Sequence, residues 1–367
     1  MKINKIIPII TIVLLLLVMF SGCIDSLIDF STTYESHPTK ISYTIRYGYN
    51  VTCTGTGNYE ITYDCDIPEV LTGYRSYHPL FAQDFKSVNV FNNDFLCWNI
   101  SEDNEASFDL GIIASVVAES FLISDLSGSN ALTVQEIKIS YPAISETYLQ
   151  MQSNGSALLI DPTNSNIKSV AQNVVDKAET DNSFLLAKEL FLWLKENTEY
   201  KTHNDRGSVQ PAALTFQKKT GDCDDLSFLY VSLCRAAGVP ARFIRGYLLS
   251  ENELGGILAI PHAWTEVFVG GSIGNEGWVP VECACDCDDV DVNVNQNFGV
   301  ENAFHLRLYA DDGSNESMNM SLSGISYVAY GSKRNVKLQS FSEIEDYEIL
   351  ESKKLVVTKE DQRSYQL

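Results

Sequence analysis

The chain has 367 residues, 45% of them hydrophobic, with 48 acidic against 26 basic side chains and a formal net charge of −22. That length suits two or three domains rather than one small core. The acidic excess excludes a nucleic-acid partner, which wants a basic face, and fits a soluble, exported surface.

Taken in chain order, Lys2 and Lys5 precede an apolar run over 6–19 and then Phe20-Ser21-Gly22-Cys23. The run is short for a spanning helix and has the layout of a secretory leader. Ser-Gly-Cys resembles a lipobox, with Phe20 in place of the usual leucine. The resemblance implies a signal peptide over 1–22 and a lipid-bearing mature N-terminus at Cys23. The expected location is the extracytoplasmic face of the cell membrane, lipid-anchored. Five Asn-x-Ser/Thr sequons, at Asn50, Asn99, Asn154, Asn315 and Asn319, agree with export and are glycosylation candidates.

Residues 23–150 read as a β-sandwich-like domain. Segments 42–49 and 59–63 alternate apolar and polar residues around a Gly-rich turn at 54–58, and 88–91, 106–110 and 135–140 continue the pattern. Segment 112–122 fits strand or helix. Two helices follow, at 167–178 and at 183–197, the second with Leu186, Leu190, Trp193 and Leu194 on one face. A third opens at Cys223, with apolar residues at Leu226, Leu229, Tyr230, Leu233 and Ala237. Asp222 is its N-cap, with Asp225 three residues on, and Gly238 is its stop. Strands are expected at 242–249, 262–269 and 278–282. Alternation resumes at 304–309 and 326–330. The expected layout is an α+β core over 151–290 and a small C-terminal β extension over 291–367, packed on the core.

Three segments carry chemistry: Thr220-Gly221-Asp222-Cys223-Asp224-Asp225-Leu226, Pro261-His262-Ala263-Trp264-Thr265-Glu266-Val267, and Gly277-Trp278-Val279-Pro280-Val281-Glu282. A thiolate is the nucleophile, and an adjacent histidine takes its proton. A carboxylate on the other ring nitrogen fixes the tautomer. Helical spacing puts Cys223 in a first turn, whose free N–H groups stabilise negative charge. Asp222, Asp224 and Asp225 pull the other way.

These segments, with Gly238-Val239-Pro240-Ala241-Arg242 and Gly246-Tyr247 between them, resemble the transglutaminase-like superfamily. The resemblance is good over 167–282 and looser in the flanks. It implies a papain-like core preceded by a β-rich domain, with Cys223 as nucleophile, His262 as base and Glu282 at the position where the family carries aspartate. It further implies acyl transfer at amide bonds of a protein or peptide substrate, most simply as a cysteine protease. Crosslinking, deglycosylation and a non-catalytic surface binding module on the same fold are the alternatives. Trp264 and Trp278 are expected around the site, with Tyr247 and Arg245 lining it or serving structure. No cofactor is called for.

Of the remaining cysteines, Cys53, Cys65 and Cys97 lie in the β-rich part, where an oxidising compartment allows one disulfide with one thiol left over. Cys234 falls on the core face of its helix. Cys283, Cys285 and Cys287 alternate and could face one way to bind zinc or iron, pair, or stay reduced. The spacing supplies no fourth ligand, so no metal is assigned. The run from Asp289 to Asn293 starts like a calcium loop, but Val294 and Val300 stand where glycine and glutamate are needed, so it reads as a solvated acidic loop.

Overall fold

The computed structural model describes residues 31–202, 209–284, 289–319 and 323–367. The expected leader with Cys23, and Cys285 and Cys287, lie outside the described residues. The fold is α+β. It begins with six strands: β1 (Thr32–Thr54), β2 (Tyr59–Asp66), β3 (Gly73–Pro79), β4 (Phe85–Val90), β5 (Asn93–Glu102) and β6 (Ala106–Glu119). In β1 the period-2 pattern buries Ile41, Tyr43, Ile45 and Tyr47 and leaves their neighbours toward solvent. The ambiguous segment is resolved as strand: β6 runs beside β1 from Cys53↔Ala106 to Lys40↔Glu119.

A mixed core follows. Its helices are α1 (Val134–Ser140), α2 (Pro142–Tyr148), α3 (Ser165–Ala178), α4 (Ser183–Asn197), α5 (Ala212–Lys218), α6 (Cys223–Ala236) and α7 (Val290–Asn297). Its sheet is antiparallel, with β7 (Ala241–Glu251), β8 (Ile257–Phe268), β9 (Trp278–Val281) and β10 (His305–Ala310) in the order β9-β8-β7-β10. Segment 135–140 is α1 and not the expected strand. The Glu136 N–H donates to Thr133 Oγ1 at 3.1 Å and the Thr133 N–H to Glu136 Oε2 at 2.8 Å, a capping box that fixes a helix start. The apparent alternation is incidental, since Ile137 is buried while Ile139 faces water.

Helix α6 is apolar nearly all round and runs through the centre of this core. Its Leu226, Leu229, Tyr230 and Leu233 pack with Phe184, Leu190, Phe191 and Leu194 of α4. The Tyr230 hydroxyl donates to the Ala187 carbonyl at 3.0 Å. Gly238, at φ +86, ends the helix as its sequence position suggests. The expected acidic loop at Asp289 is instead the start of α7, where Asp289 Oδ1 accepts the N–H groups of Asp291 and Val292 at 3.0 and 3.1 Å.

The C-terminal strands do not form an extension on the core. β11 (Ser323–Ala329) pairs with β2, and β12 (Asn335–Val357) runs antiparallel along β1 from Thr54↔Asn335 to Thr32↔Val357. With β13 (Arg363–Gln366) they complete two sheets, β13-β12-β1-β6-β3 and β11-β2-β5-β4. The two sheets share one core of Ile41, Ile45, Ile61, Tyr63, Trp98 and Ile112, as a sandwich does. The sandwich is thus discontinuous in sequence, with the mixed core inserted between β6 and β11, and β10 belongs to the core sheet rather than to an extension. Tyr247, Leu249 and Leu306 of the core sheet join the sandwich interior.

Cys53, Cys65 and Cys97 are free thiols. In the β2–β5 ladder Cys65 opposes Leu96 and Cys97 opposes Asp64, so the pleat sends Cys65 and Cys97 to opposite faces.

Candidate active site

The site is assembled at the seam between α6 and the core sheet. Cys223 is the first residue of α6, and its N–H lies in the turn that has no intrahelical acceptor. His262 lies on β8, opposite Gly246 of β7. A Cβ on Gly246 would sit 2.0 Å from the Leu306 carbonyl oxygen and 3.0 Å from the Trp264 ring, so only glycine lets β7 and β10 close behind the histidine. Glu282 follows the last residue of β9, and its backbone N–H donates to Asn297 O at 3.0 Å.

The His262 Nε2 atom is 2.7 Å from Glu282 Oε2, and the ring lies beside Cys223 and interacts with its thiol. With Nε2 engaged by the carboxylate, Nδ1 is the nitrogen left for the thiol. Burial acts to lower the imidazole pKa, but the Glu282 charge and the contact with Cys223 outweigh it, and the ring is pushed up to about 10. Burial would raise the Glu282 carboxyl, yet His262 and His305 hold it well below the usual carboxylate range.

His305 is a site residue that sequence reading missed. Its Nε2 lies 3.0 Å from the same Glu282 Oε2, and its Nδ1 lies 2.8 Å from Asn302 Oδ1. That Asn302 oxygen also accepts the Phe304 N–H at 3.1 Å, which fixes it as the oxygen of the amide. Glu282 Oε1 accepts the Ala284 N–H at 2.7 Å. The carboxylate is held from three sides. No motif marks His305; its position at the start of β10 becomes informative only once the sheet order is known.

The acids around the thiol separate by role. Asp225 is fully buried and turned into structure: it accepts from Gln210 N and Gln210 Nε2, both at 2.7 Å, and from Asp222 N at 3.2 Å. Burial, and next a hydrogen bond with Asp222, raise the Asp224 pKa to about 9, so Asp224 holds its proton near neutrality. The charge opposing a thiolate is therefore smaller than the sequence suggests.

A cleft of roughly 400 Å³ opens over Cys223 and His262. Leu159, Phe228, Phe243 and Met318 form apolar walls, and Arg245 and Tyr309 lie along it. Sequons Asn154 and Asn319 also line it, whereas Asn50 and Asn99 lie exposed on the sandwich strands and Asn315 accepts the Ser153 N–H at 2.8 Å. Trp264, Trp278 and Tyr247 do not line it. Trp264 is buried beneath the histidines, 6.0 Å from the His262 ring, and donates from Nε1 to Glu301 Oε2 at 2.9 Å. Trp278 lies under the Arg242 guanidinium at 4.1 Å, and Tyr247 packs edge-on to Tyr47 of the sandwich. Large aromatics near a site in sequence are here its supports.

Behind Trp264 stands an ion network. Arg307 contacts Glu266 at 2.6 Å and Glu301 at 2.5 Å, and Arg242 contacts Glu266 at 2.6 Å. Burial works against the Glu266 charge, but the two arginines bring its pKa down to about 2. As for metals, the donor atoms of His262, Glu282 and His305 lie within 4.8 Å of one another, as do those of Asp222, Cys223 and Asp224. In the first set hydrogen bonds already occupy these atoms. Cys283 is buried with its Sγ 3.7 Å from Thr265 Oγ1.

Residues 168–283 match the family model described as the transglutaminase-like superfamily, so the chain carries a transglutaminase-like domain over that span. A 119-residue stretch is 32% identical to the uncharacterized protein YebA of Bacillus subtilis, covering 30% of this chain and 15% of the relative's length. Among solved structures, a candidate cysteine protease of Cytophaga hutchinsonii is similar at TM-score 0.49 and 14% identity, covering 92% of this chain and 100% of that one. The periplasmic domain of TgpA from Pseudomonas aeruginosa is similar at TM-score 0.33 and 14% identity, covering 71% and 94%.

Proposed function

We propose that this chain is an extracytoplasmic thiol enzyme that transfers acyl groups from amides of a protein or peptide substrate, in its simplest form a cysteine peptidase held on the membrane by a lipid at Cys23. The observation that carries the reading is the His262–Glu282 contact of 2.7 Å, with His262 and Cys223 side by side in one open cleft. In the first step the Cys223 sulfur bonds to the carbonyl carbon, and the oxyanion is met by N–H groups at the start of α6. The C–N bond then breaks as His262 gives its proton to the leaving amine. Water, deprotonated by His262, cleaves the thioester to a carboxylic acid and restores the thiol. An amine in place of water would give a crosslink.

Alkylation with iodoacetamide near neutral pH tests the reading. Cys223 is expected to label well before Cys234, whose thiol burial pushes up to about 12, and His262→Ala is expected to slow Cys223 strongly. Equal rates at the two thiols, or indifference to His262, would replace the enzyme by a binding module on the same groove.

A further inference from the structure

We infer that the cleft selects a substrate bearing a carboxylate beside the amide that Cys223 attacks, and that Arg245 and Tyr309 are the residues that receive it. The inference rests on the enzyme reading of Cys223 and deepens it.

Arg245 lies on β7, opposite Ala263, the residue next to His262. Its guanidinium stacks on the Tyr309 ring at 4.2 Å, and both residues line the cleft that holds Cys223. Among the described residues Arg245 Nε is buried without a hydrogen-bond partner, Arg245 Nη2 makes only a 3.5 Å contact with the Ser317 carbonyl, and the Tyr309 hydroxyl lies buried beside Arg245 and Ser317 without a well-formed hydrogen bond. Buried donors left unpaired are costly and rare, and two of them side by side on one cleft mark a place built for an acceptor. The apolar walls of Leu159, Phe228, Phe243 and Met318 lower the local dielectric, which strengthens a charge-assisted bond.

The neighbouring acids do not neutralise this cation. Asp66 faces Arg245 from the end of β2, but it makes no ion pair with it, both its oxygens lack a partner, and burial raises its pKa well above the usual carboxylate range. Asp311 is already committed: it pairs with Arg235 at 3.5 Å and accepts from Gln152 Nε2 at 2.8 Å and Ser317 Oγ at 2.6 Å. Asp222 and Asp224 lie at the thiol, and burial keeps Asp224 protonated. Asp66 and Asp311 act on the guanidinium at a distance, but among the described residues no carboxylate pairs with it, and a planar substrate carboxylate meets its fork in two parallel bonds. An acidic side chain and a chain-terminal carboxylate offer the same chemistry.

The test uses peptidyl chloromethyl ketones that differ only in bearing Glu or Gln beside the reactive carbonyl, with Cys223 labelling followed by peptide mapping. The Glu probe is expected to label at least about tenfold faster, the lower end of what a hydrogen bond to a charged group contributes. Arg245→Gln should remove the preference, Arg245→Lys should keep part of it, and Tyr309→Phe should reduce it. Protection of Cys223 by an N-acetyl dipeptide acid but not by its amide assigns a terminal carboxylate; protection by neither leaves the acidic side chain. Equal labelling of wild-type protein by the two probes overturns the inference, whether or not the Arg245 variants fold. A Cys223 that reacts no faster than Cys234 with iodoacetamide overturns the enzyme reading instead.

Discussion

Glu282→Gln is the sharpest single change at this site, because the replacement is nearly isosteric and removes only the charge and one acceptor. The carboxylate meets His262 at 2.7 Å, His305 at 3.0 Å and the Ala284 N–H at 2.7 Å. The rise of the His262 pKa from 6.5 to about 10 amounts to roughly 5 kcal/mol in favour of the imidazolium, shared between Glu282 and the thiol. Half of that, about 2–3 kcal/mol, is on the order of a hundredfold in the population of the ion pair. With the carboxylate gone, burial acts unopposed and lowers the imidazole. The assay is the second-order rate of iodoacetamide alkylation at Cys223 from pH 5 to 10. The wild-type rate is expected to persist into the alkaline range, and the variant to fall by about a hundredfold near neutrality. The stability change has a defined sign. His262 is raised on folding, so its contribution is full below 6.5 and fades as pH rises through about 10. Glu282 is depressed, so its contribution is full above the usual carboxylate pKa and fades as pH falls toward its folded value. The variant should therefore lose most melting temperature between these limits and converge on wild type outside them. A Glu282→Gln protein with the wild-type rate profile would falsify the assignment of Glu282 as the partner of His262.

Two further outcomes are expected. His305→Ala should leave Cys223 and His262 in place but loosen Glu282, lowering the alkylation rate about tenfold or more with a change in its pH profile; His305→Gln should recover part of it, and an unchanged profile reduces His305 to packing. Cys23→Ser should release the protein from membranes or block its processing, and unchanged fractionation and mass would remove the lipid.

What the sequence made legible is what local physics decides. Helix α6 was readable because its cap, its apolar spacing and its Gly238 stop all lie within sixteen residues of Cys223. Glu282 was readable from its flanking text. What escaped depends on chain segments far apart. β12 joins β1 through a ladder whose partners are up to 325 positions distant, as in Thr32↔Val357, so a C-terminal segment that reads as an appendage in fact closes the first sheet. His305 reaches Glu282 only because β10 enters the core sheet beside β7. Segment 135–140 misled for a smaller reason, since the alternating Ile137 and Ile139 outweighed a capping box that was equally visible.

The surroundings of Glu282 show how a side chain longer than aspartate is held against His262. A glutamate has one more rotatable bond than aspartate, and holding it in one pose costs more rotamer freedom. Here the extra bond is restrained from both ends of the carboxylate: Ala284 takes Oε1, while His262 and His305 share Oε2. His305 is restrained in turn by Asn302, whose orientation the Phe304 N–H fixes. Each added hydrogen bond narrows the next side chain, so the restraint on His262 passes through five residues drawn from two segments, 282–284 and 302–305. Glu282 lies just past the final residue of β9, and His305 supplies the precision that its extra methylene removes.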